Sequence, residues 1–190
     1  MSATSAPFGF RPAFHPSGLD RANALADGIL SGYTSNILKN QPVALNSSGQ
    51  LIIATAGAAM QGVFAGVEWT DTTGRRRVSN YWPANTAFLA GSCIAYWYND
   101  PQIVYEVQAN GSLAQTSIGD QANIVSATDG STTTGLSAAM LSTTLAGTSA
   151  VGDFRIINLA PYVDNAWGDA YVIVQVQISR SQYVATINAI

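Results

Sequence analysis

The segment that decides the fold is residues 171–178, Tyr-Val-Ile-Val-Gln-Val-Gln-Ile. Branched and aromatic side chains of this kind pack well on the pleated surface of a β-strand. Because successive side chains of a strand point to opposite faces, one face collects four hydrophobic residues, Val172, Val174, Val176 and Ile178. Gln175 and Gln177 fall on the other face. The segment therefore predicts a half-buried strand in a β-rich protein.

Other segments of the same kind recur along the chain between turn-forming residues. They span residues 35–38, 42–45, 51–54, 62–69, 75–82, 86–89, 94–98, 103–108 and 154–159. In 62–69 the residues alternate, which places Val63, Ala65 and Val67 on one face and Phe64, Gly66 and Glu68 on the other. About ten short strands broken by turns predict a mainly β fold, either a β-sandwich or a β-barrel-like domain.

The first 20 residues differ from the rest and predict an extended N-terminal arm before a single β-rich domain at 21–190. Three prolines and two glycines in residues 7–18 disfavour a helix. The arm also carries three phenylalanines that need a surface to cover, Phe8, Phe10 and Phe14. They either fold back on their own domain or dock on a neighbouring subunit. Partial helical spacing in residues 19–31 predicts a short helical turn after the arm.

Residues 126–150 form a segment rich in Ser and Thr within the domain. Such a composition is typical of a flexible loop. However, four hydrophobic residues recur there and need a surface, Leu136, Met140, Leu141 and Leu145. We therefore favour an ordered excursion that packs on a sheet or on a partner.

Ionisable side chains are scarce, since only 10% of the residues are charged and the chain has one His, one Cys and one Lys. A typical soluble domain has about 25% charged residues. Acid–base catalysis needs a proton acceptor and zinc needs several His or Cys ligands. We therefore expect no enzymatic activity, no catalytic residue, no metal and no cofactor. The net charge of −3 also argues against nucleic-acid binding.

Hydrophobic residues make up 47% of the chain, which fits a well-filled core or an apolar surface that meets partner subunits. The low charge favours assembly, because a free monomer usually needs more charge to stay soluble. No apolar stretch reaches the length of about 18 residues that a membrane helix requires. We also expect no signal peptide, because the N-terminus lacks a basic start and a continuous apolar region.

The single cluster of positive charge is Arg75, Arg76 and Arg77. It has two interpretations. The first is a solvated hairpin edge whose charges prevent unwanted strand pairing. The second is a contact with carboxylates of another protein, because arginine forms bidentate pairs with them.

Six aromatic residues cluster in the middle of the chain, Trp69, Tyr81, Trp82, Tyr96, Trp97 and Tyr98. Such residues are more often core or interface anchors than a platform for sugars. Glycan binding nevertheless remains an alternative function.

Several segments together resemble structural proteins of tailed-bacteriophage virions. They are the arm at 6–18, residues 62–69 followed by the arginine run and residues 79–83, residues 131–137, and residues 155–159 followed by Asp164-Asn165 and the valine-rich strand. The resemblance implies a capsid decoration, or cement, protein that is β-rich and often trimeric, and that braces the outer surface of the head. It implies no catalytic residues.

On this basis the expected partners are the major capsid protein and further copies of the chain, as a homotrimer, with no nucleic acid and no membrane. The protein would be made in the bacterial cytoplasm and located on the capsid surface of the virion. The residues expected to contact the capsid or other subunits are Phe8, Phe10, Arg11, Phe14, Arg75, Arg76 and Arg77. The alternative is a receptor- or glycan-binding module of a phage tail or head fibre.

Overall fold

A computed structural model describes residues 2–18 and 21–185 of the chain. The remaining positions of the predicted arm and domain, 1, 19–20 and 186–190, lie outside the described residues. The described residues form fourteen strands: β1 (Arg11–Phe14), β2 (Asn23–Ala26), β3 (Pro42–Leu45), β4 (Leu51–Ile53), β5 (Gly62–Thr70), β6 (Arg76–Ser79), β7 (Ile94–Tyr98), β8 (Val104–Gln108), β9 (Gln121–Val125), β10 (Gly130–Ser131), β11 (Leu136–Ser137), β12 (Met140–Leu145), β13 (Phe154–Leu159) and β14 (Ile173–Ile178). One short 3-10 helix spans Gln115–Ser117.

The first sheet has six antiparallel strands in the order β1-β8-β14-β13-β9-β12. An isolated bridge between Ala109 and Leu141 connects the end of β8 with β12. The sheet thus curls back on itself, as a small barrel does. The predicted β-sandwich or β-barrel-like fold class is confirmed.

The second sheet has the order β2-β7-β5-β3-β4, and β6 pairs with the distal half of β5. All its strand pairs are antiparallel. β5 is its longest strand and takes part in three pairings, so the central position of this sheet belongs to residues 62–70.

Two clusters of buried hydrophobic side chains stabilise the two sheets. The first joins both sheets: it contains the four hydrophobic residues predicted to share one face of residues 171–178, together with Val63 and Ala44 of the second sheet. The second covers the other face of the second sheet and includes Phe64, Val67 and Trp82. The second sheet is therefore buried on both faces in its middle, which explains why its central strand is hydrophobic almost throughout.

A β-bulge changes the alternation that we predicted for β5. The pairing of β5 with β7 shifts register between Phe64 and Gly66. Phe64 and Val67, predicted on opposite faces, consequently lie in the same cluster, whereas Val63 lies in the other. A bulge adds one residue to one strand and so reverses the faces of all residues after it. The predicted faces are therefore wrong beyond Phe64.

Three predicted elements differ from the structure. The helical turn expected in 19–31 is wrong in its described part, because residues Asn23–Ala26 form β2 and pair with β7. Residues 35–38 and 86–89 are not strands, but each makes one isolated bridge, Ile37 with Trp82 and Phe88 with Asp71. Both segments pack on the second cluster through their side chains, and neither forms a continuous ladder of backbone hydrogen bonds.

The Ser/Thr-rich segment at 126–150 is structured. Its β12 pairs with β9, and Met140 and Leu141 are buried. The short pair β10–β11 precedes it. This segment thus supplies the last strand of the first sheet.

Candidate docking surfaces

The arm is folded back on its own chain. Arg11–Phe14 forms the edge strand β1, with Arg11 opposite Glu106 and Phe14 opposite Val104. Phe10 is fully buried and stacks on Phe154, with 4.3 Å between the ring centroids. Phe10, predicted as a contact residue, therefore packs inside its own domain, whereas Phe14 is 45% exposed.

Asn40 holds the arm at two points. Its carbonyl accepts a hydrogen bond from the Phe10 amide at 2.8 Å, and its side-chain Nδ2 donates to the Phe8 carbonyl at 3.1 Å. Asn40 has a φ of 65° and Gly9 one of 74°. A Cβ at Gly9 would lie 2.5 Å from the Asn40 carbonyl oxygen, so only glycine allows this approach.

Arg11 is anchored by a polar cluster on the outer face of the first sheet. Its Nη2 donates to Glu106 Oε2 at 2.7 Å and also to the Tyr162 hydroxyl, which in turn donates to Glu106. Burial and the hydrogen bond to Glu106 raise the pKa of Tyr162. The Arg11 guanidinium also lies 4.9 Å from the centroid of the Phe8 ring. Arg11 thus fixes Phe8 and the edge strand together.

A groove opens beside the arm, and we call it the arm groove. Its volume is about 380 Å³, and the side chains that matter for its chemistry are Phe8, Arg11, Lys39, Asn40, Tyr98 and Leu136. Lys39 is the only lysine of the chain. Its amide donates to the Gly135 carbonyl, and its carbonyl accepts from the Ser137 amide. The groove therefore combines the arm, the segment at 126–150 and the second sheet.

The three predicted arginines lie on the exposed hairpin of β5 and β6. Arg76 pairs with Glu68 at 2.6 Å and Arg77 with Asp71 at 2.9 Å. The hydrogen bond from Arg76 lowers the pKa of Glu68, assisted by the Tyr96 hydroxyl at 3.1 Å. Two of the three charges are thus compensated within the hairpin.

Asp71 has a second role in this hairpin. Its Oδ1 accepts hydrogen bonds from the Thr73 hydroxyl and from the amides of Thr73 and Arg75, at 2.6 to 3.0 Å. These bonds hold the pKa of Asp71 well below its ordinary value. The carboxylate thereby fixes the turn in the way an Asx turn does. Beyond it, Val78 of β6 is 75% exposed.

The clustered aromatic residues divide between core and surface. Trp69, Trp82 and Trp97 are all buried in the second cluster, and Trp69 meets Trp82 edge to face at 5.5 Å. The tyrosines Tyr81, Tyr96 and Tyr98 are partly exposed. None of these three indoles presents a ring face to solvent on which a sugar could stack.

The remaining reactive side chains are held in structural contacts. His15 lies 3.2 Å from Asp100, and burial raises the pKa of the Cys93 thiol to about 11. Glu68 and Glu106 belong to different sheets. Within residues 2–18 and 21–185, no group of three or more His, Cys, Asp or Glu side chains is arranged to hold a metal ion.

Comparison with protein-family models, with curated proteins and with solved structures finds no match. In the described part of the chain, no helix has the length and apolarity required to cross a membrane.

The sequence predicted Phe8 and Arg11 as contact residues, but it did not indicate that Lys39, Asn40 and Leu136 lie beside them. The signal available for Lys39 was its uniqueness in a charge-poor chain. The contact between residues 8–12, 39–40 and 136 spans three distant segments, and no local pattern encodes it. The predicted capsid contacts of Phe14 and the arginines stay predictions.

Proposed function

We propose that this chain is a bacteriophage capsid decoration protein that binds the outer surface of the major capsid shell and stabilises the head. It would act as a homotrimer through largely apolar contacts between subunits. The resemblance of the arm and of residues 62–69 to virion proteins supports this proposal, as does the β-rich architecture, which is typical of such proteins.

The observation that carries the proposal is the apolar surface of a charge-poor domain. Nine large hydrophobic side chains of the described residues are exposed: Phe14, Leu30, Val78, Leu89, Ile118, Leu136, Val163, Tyr183 and Val184. Exposed hydrophobic residues that lie next to one another mark interaction sites, whereas single exposed hydrophobic residues are common on any protein surface. Leu30 lies on the rim of a shallow depression that also contains the partly exposed Phe88, so these two apolar side chains share one part of the surface.

The decisive experiment is the copy number of the chain in gradient-purified particles, measured by quantitative mass spectrometry against the major shell protein. A decoration protein gives a simple ratio to the shell subunit and hundreds of copies per head. A handful of copies contradicts the proposal and favours a receptor-binding part of a tail or fibre. Absence from the particle excludes a virion role.

A second experiment tests the stabilising role. Heads assembled without the chain are incubated with purified protein, and their thermal disruption is followed by light scattering and by release of DNA. We expect added protein to raise the disruption temperature until the sites are saturated. Saturable binding without any change in the disruption temperature would contradict a cement role.

A further inference from the structure

We propose that the arm groove is the docking site for a short segment of the shell protein that carries a carboxylate next to an apolar side chain. This inference rests on the proposed function for the identity of the partner. It goes further in assigning the contact to Lys39, Phe8 and Leu136, of which only Phe8 belongs to the predicted contact residues.

The charge of the groove favours a carboxylate. Lys39 is exposed and forms no ion pair with any described residue, whereas the Arg11 charge is shared with Glu106. The groove therefore holds one uncompensated positive charge, in a chain whose total charge is −3. Charge complementarity of this kind selects a partner and fixes its orientation.

The walls of the groove favour an apolar neighbour of that carboxylate. Leu136 is 37% exposed, and Phe8 and Tyr98 are partly exposed beside it. A volume of about 380 Å³ lies near the lower end of the range of ligand sites, about 300–1,000 Å³. The space suits two or three side chains of an extended segment.

The groove is held in place before any partner binds. Asn40 and Gly9 keep positive φ angles where hydrogen bonds join the arm to Asn40, and the Lys39 backbone is fixed on both sides by residues 135 and 137. A left-handed φ at a non-glycine residue such as Asn40 persists where the surroundings enforce it and is common at binding sites. A rigid groove loses less conformational freedom on binding, which favours affinity.

A protein segment fits the groove better than a glycan. Sugar sites stack a ring on an exposed aromatic face, but one side of Phe8 is taken by the Arg11 guanidinium. The acidic sugar remains the competing ligand, and the test includes it.

The first test is a titration of the 15N-labelled protein, followed by amide chemical shifts. The probe is the peptide acetyl-Gly-Glu-Leu-Gly-amide, with the Gln peptide acetyl-Gly-Gln-Leu-Gly-amide and galacturonic acid as comparisons. We expect the Glu peptide to shift the amides of Lys39, Asn40 and Leu136 and to bind about tenfold more tightly than the Gln peptide. The Lys39→Met variant should lose this preference.

Three results would overturn the inference. They are equal affinity for both peptides, shifts confined to other parts of the surface, and tighter binding of galacturonic acid than of the Glu peptide. The last result would assign the groove to an acidic glycan. Because this test uses no particles, its outcome does not depend on the proposed function.

The second test separates the groove from the function. Lys39→Glu is compared with Arg21→Glu, a matched charge reversal at another exposed position outside the groove. On heads that lack the chain, we expect Lys39→Glu to bind about tenfold more weakly than wild type, with Arg21→Glu little changed. If wild type and Lys39→Glu bind equally, the groove assignment is wrong and the decoration function stands. If wild type does not bind heads, the decoration function is wrong.

Discussion

At the scale of single residues, Asp153 is a buried carboxylate that links two parts of the fold. It is fully buried just before β13, and its carboxylate accepts hydrogen bonds from the amides of Gly57 and Ile124 at 3.0 to 3.1 Å. The guanidinium of Arg180 donates hydrogen bonds to the carbonyls of Gly57 and Val151 in the same region. This one carboxylate thereby ties the loop before β5 to strand β9 of the other sheet.

We expect Asp153→Ala to lower the free energy of unfolding by about 2–3 kcal/mol, because the buried amide of Ile124 and the partly buried amide of Gly57 lose their acceptor. Chemical denaturation measures this change. Asp129→Ala, at an exposed position, is the control and should change the free energy by less than about 0.5 kcal/mol. Equal effects of the two variants would show that Asp153 does not join the sheets.

The pH dependence of Asp153 has a definite sign. Burial raises its pKa above the ordinary value of 3.8, so the folded chain binds this proton more tightly than the unfolded chain. The resulting stabilisation is complete below pH 3.8 and is lost as the pH rises through the raised pKa. The free energy of unfolding of wild type minus that of Asp153→Asn should therefore fall as the pH rises from 3.8. A difference that increases with pH would contradict the raised pKa.

A second residue-scale prediction concerns the turn at Asp71. In Asp71→Asn, the side-chain Oδ1 can still accept hydrogen bonds from the amides of Thr73 and Arg75, but the ion pair with Arg77 is lost. We expect amide hydrogen exchange at Arg75 to be much faster in Asp71→Ala than in Asp71→Asn. Equal acceleration in both variants would mean that the ion pair holds the hairpin, and the hydrogen-bonded turn does not.

At the scale of elements, the arm is held on its own domain by the pairing of β1 with β8 and by the burial of Phe10. We expect Phe10→Ala to cost about 3–5 kcal/mol in the free energy of unfolding, because it removes a fully buried ring stacked on Phe154. Phe14→Ala, in the same arm but 45% exposed, should cost less than about 0.5 kcal/mol. Denaturation curves of the purified variants measure both. A stability of Phe10→Ala equal to that of wild type would show that the arm packs only on a neighbour.

Local composition, with β-branched and aromatic runs between turn-forming residues, was enough to predict several of the strands. The predicted strands at 42–45, 94–98 and 154–159 coincide with β3, β7 and β13. The bulge in β5 was not predictable, because the register of a strand depends on its partners as well as on its own sequence. The same holds for the arm groove, whose parts are adjacent only after both sheets have formed.

At the scale of the whole molecule, the second sheet connects the two buried clusters. Val43 lies in the second cluster and its neighbour Ala44 in the first, and Val63 and Phe64 are divided in the same way. Side chains of adjacent residues in one strand cannot move independently. Loss of packing in one cluster should therefore loosen the other.

We accordingly expect a single cooperative unfolding transition for the chain. The probe of the second cluster is the fluorescence of Trp69, Trp82 and Trp97 in a Trp167→Phe background, because Trp167 packs against the first cluster. The probe of the first cluster is hydrogen exchange of the β14 amides. Val174→Ala, a fully buried change in the first cluster, should lower the free energy of unfolding reported by both probes by the same amount, about 2 kcal/mol. A change seen only in β14 would instead divide the chain into two independently stable units.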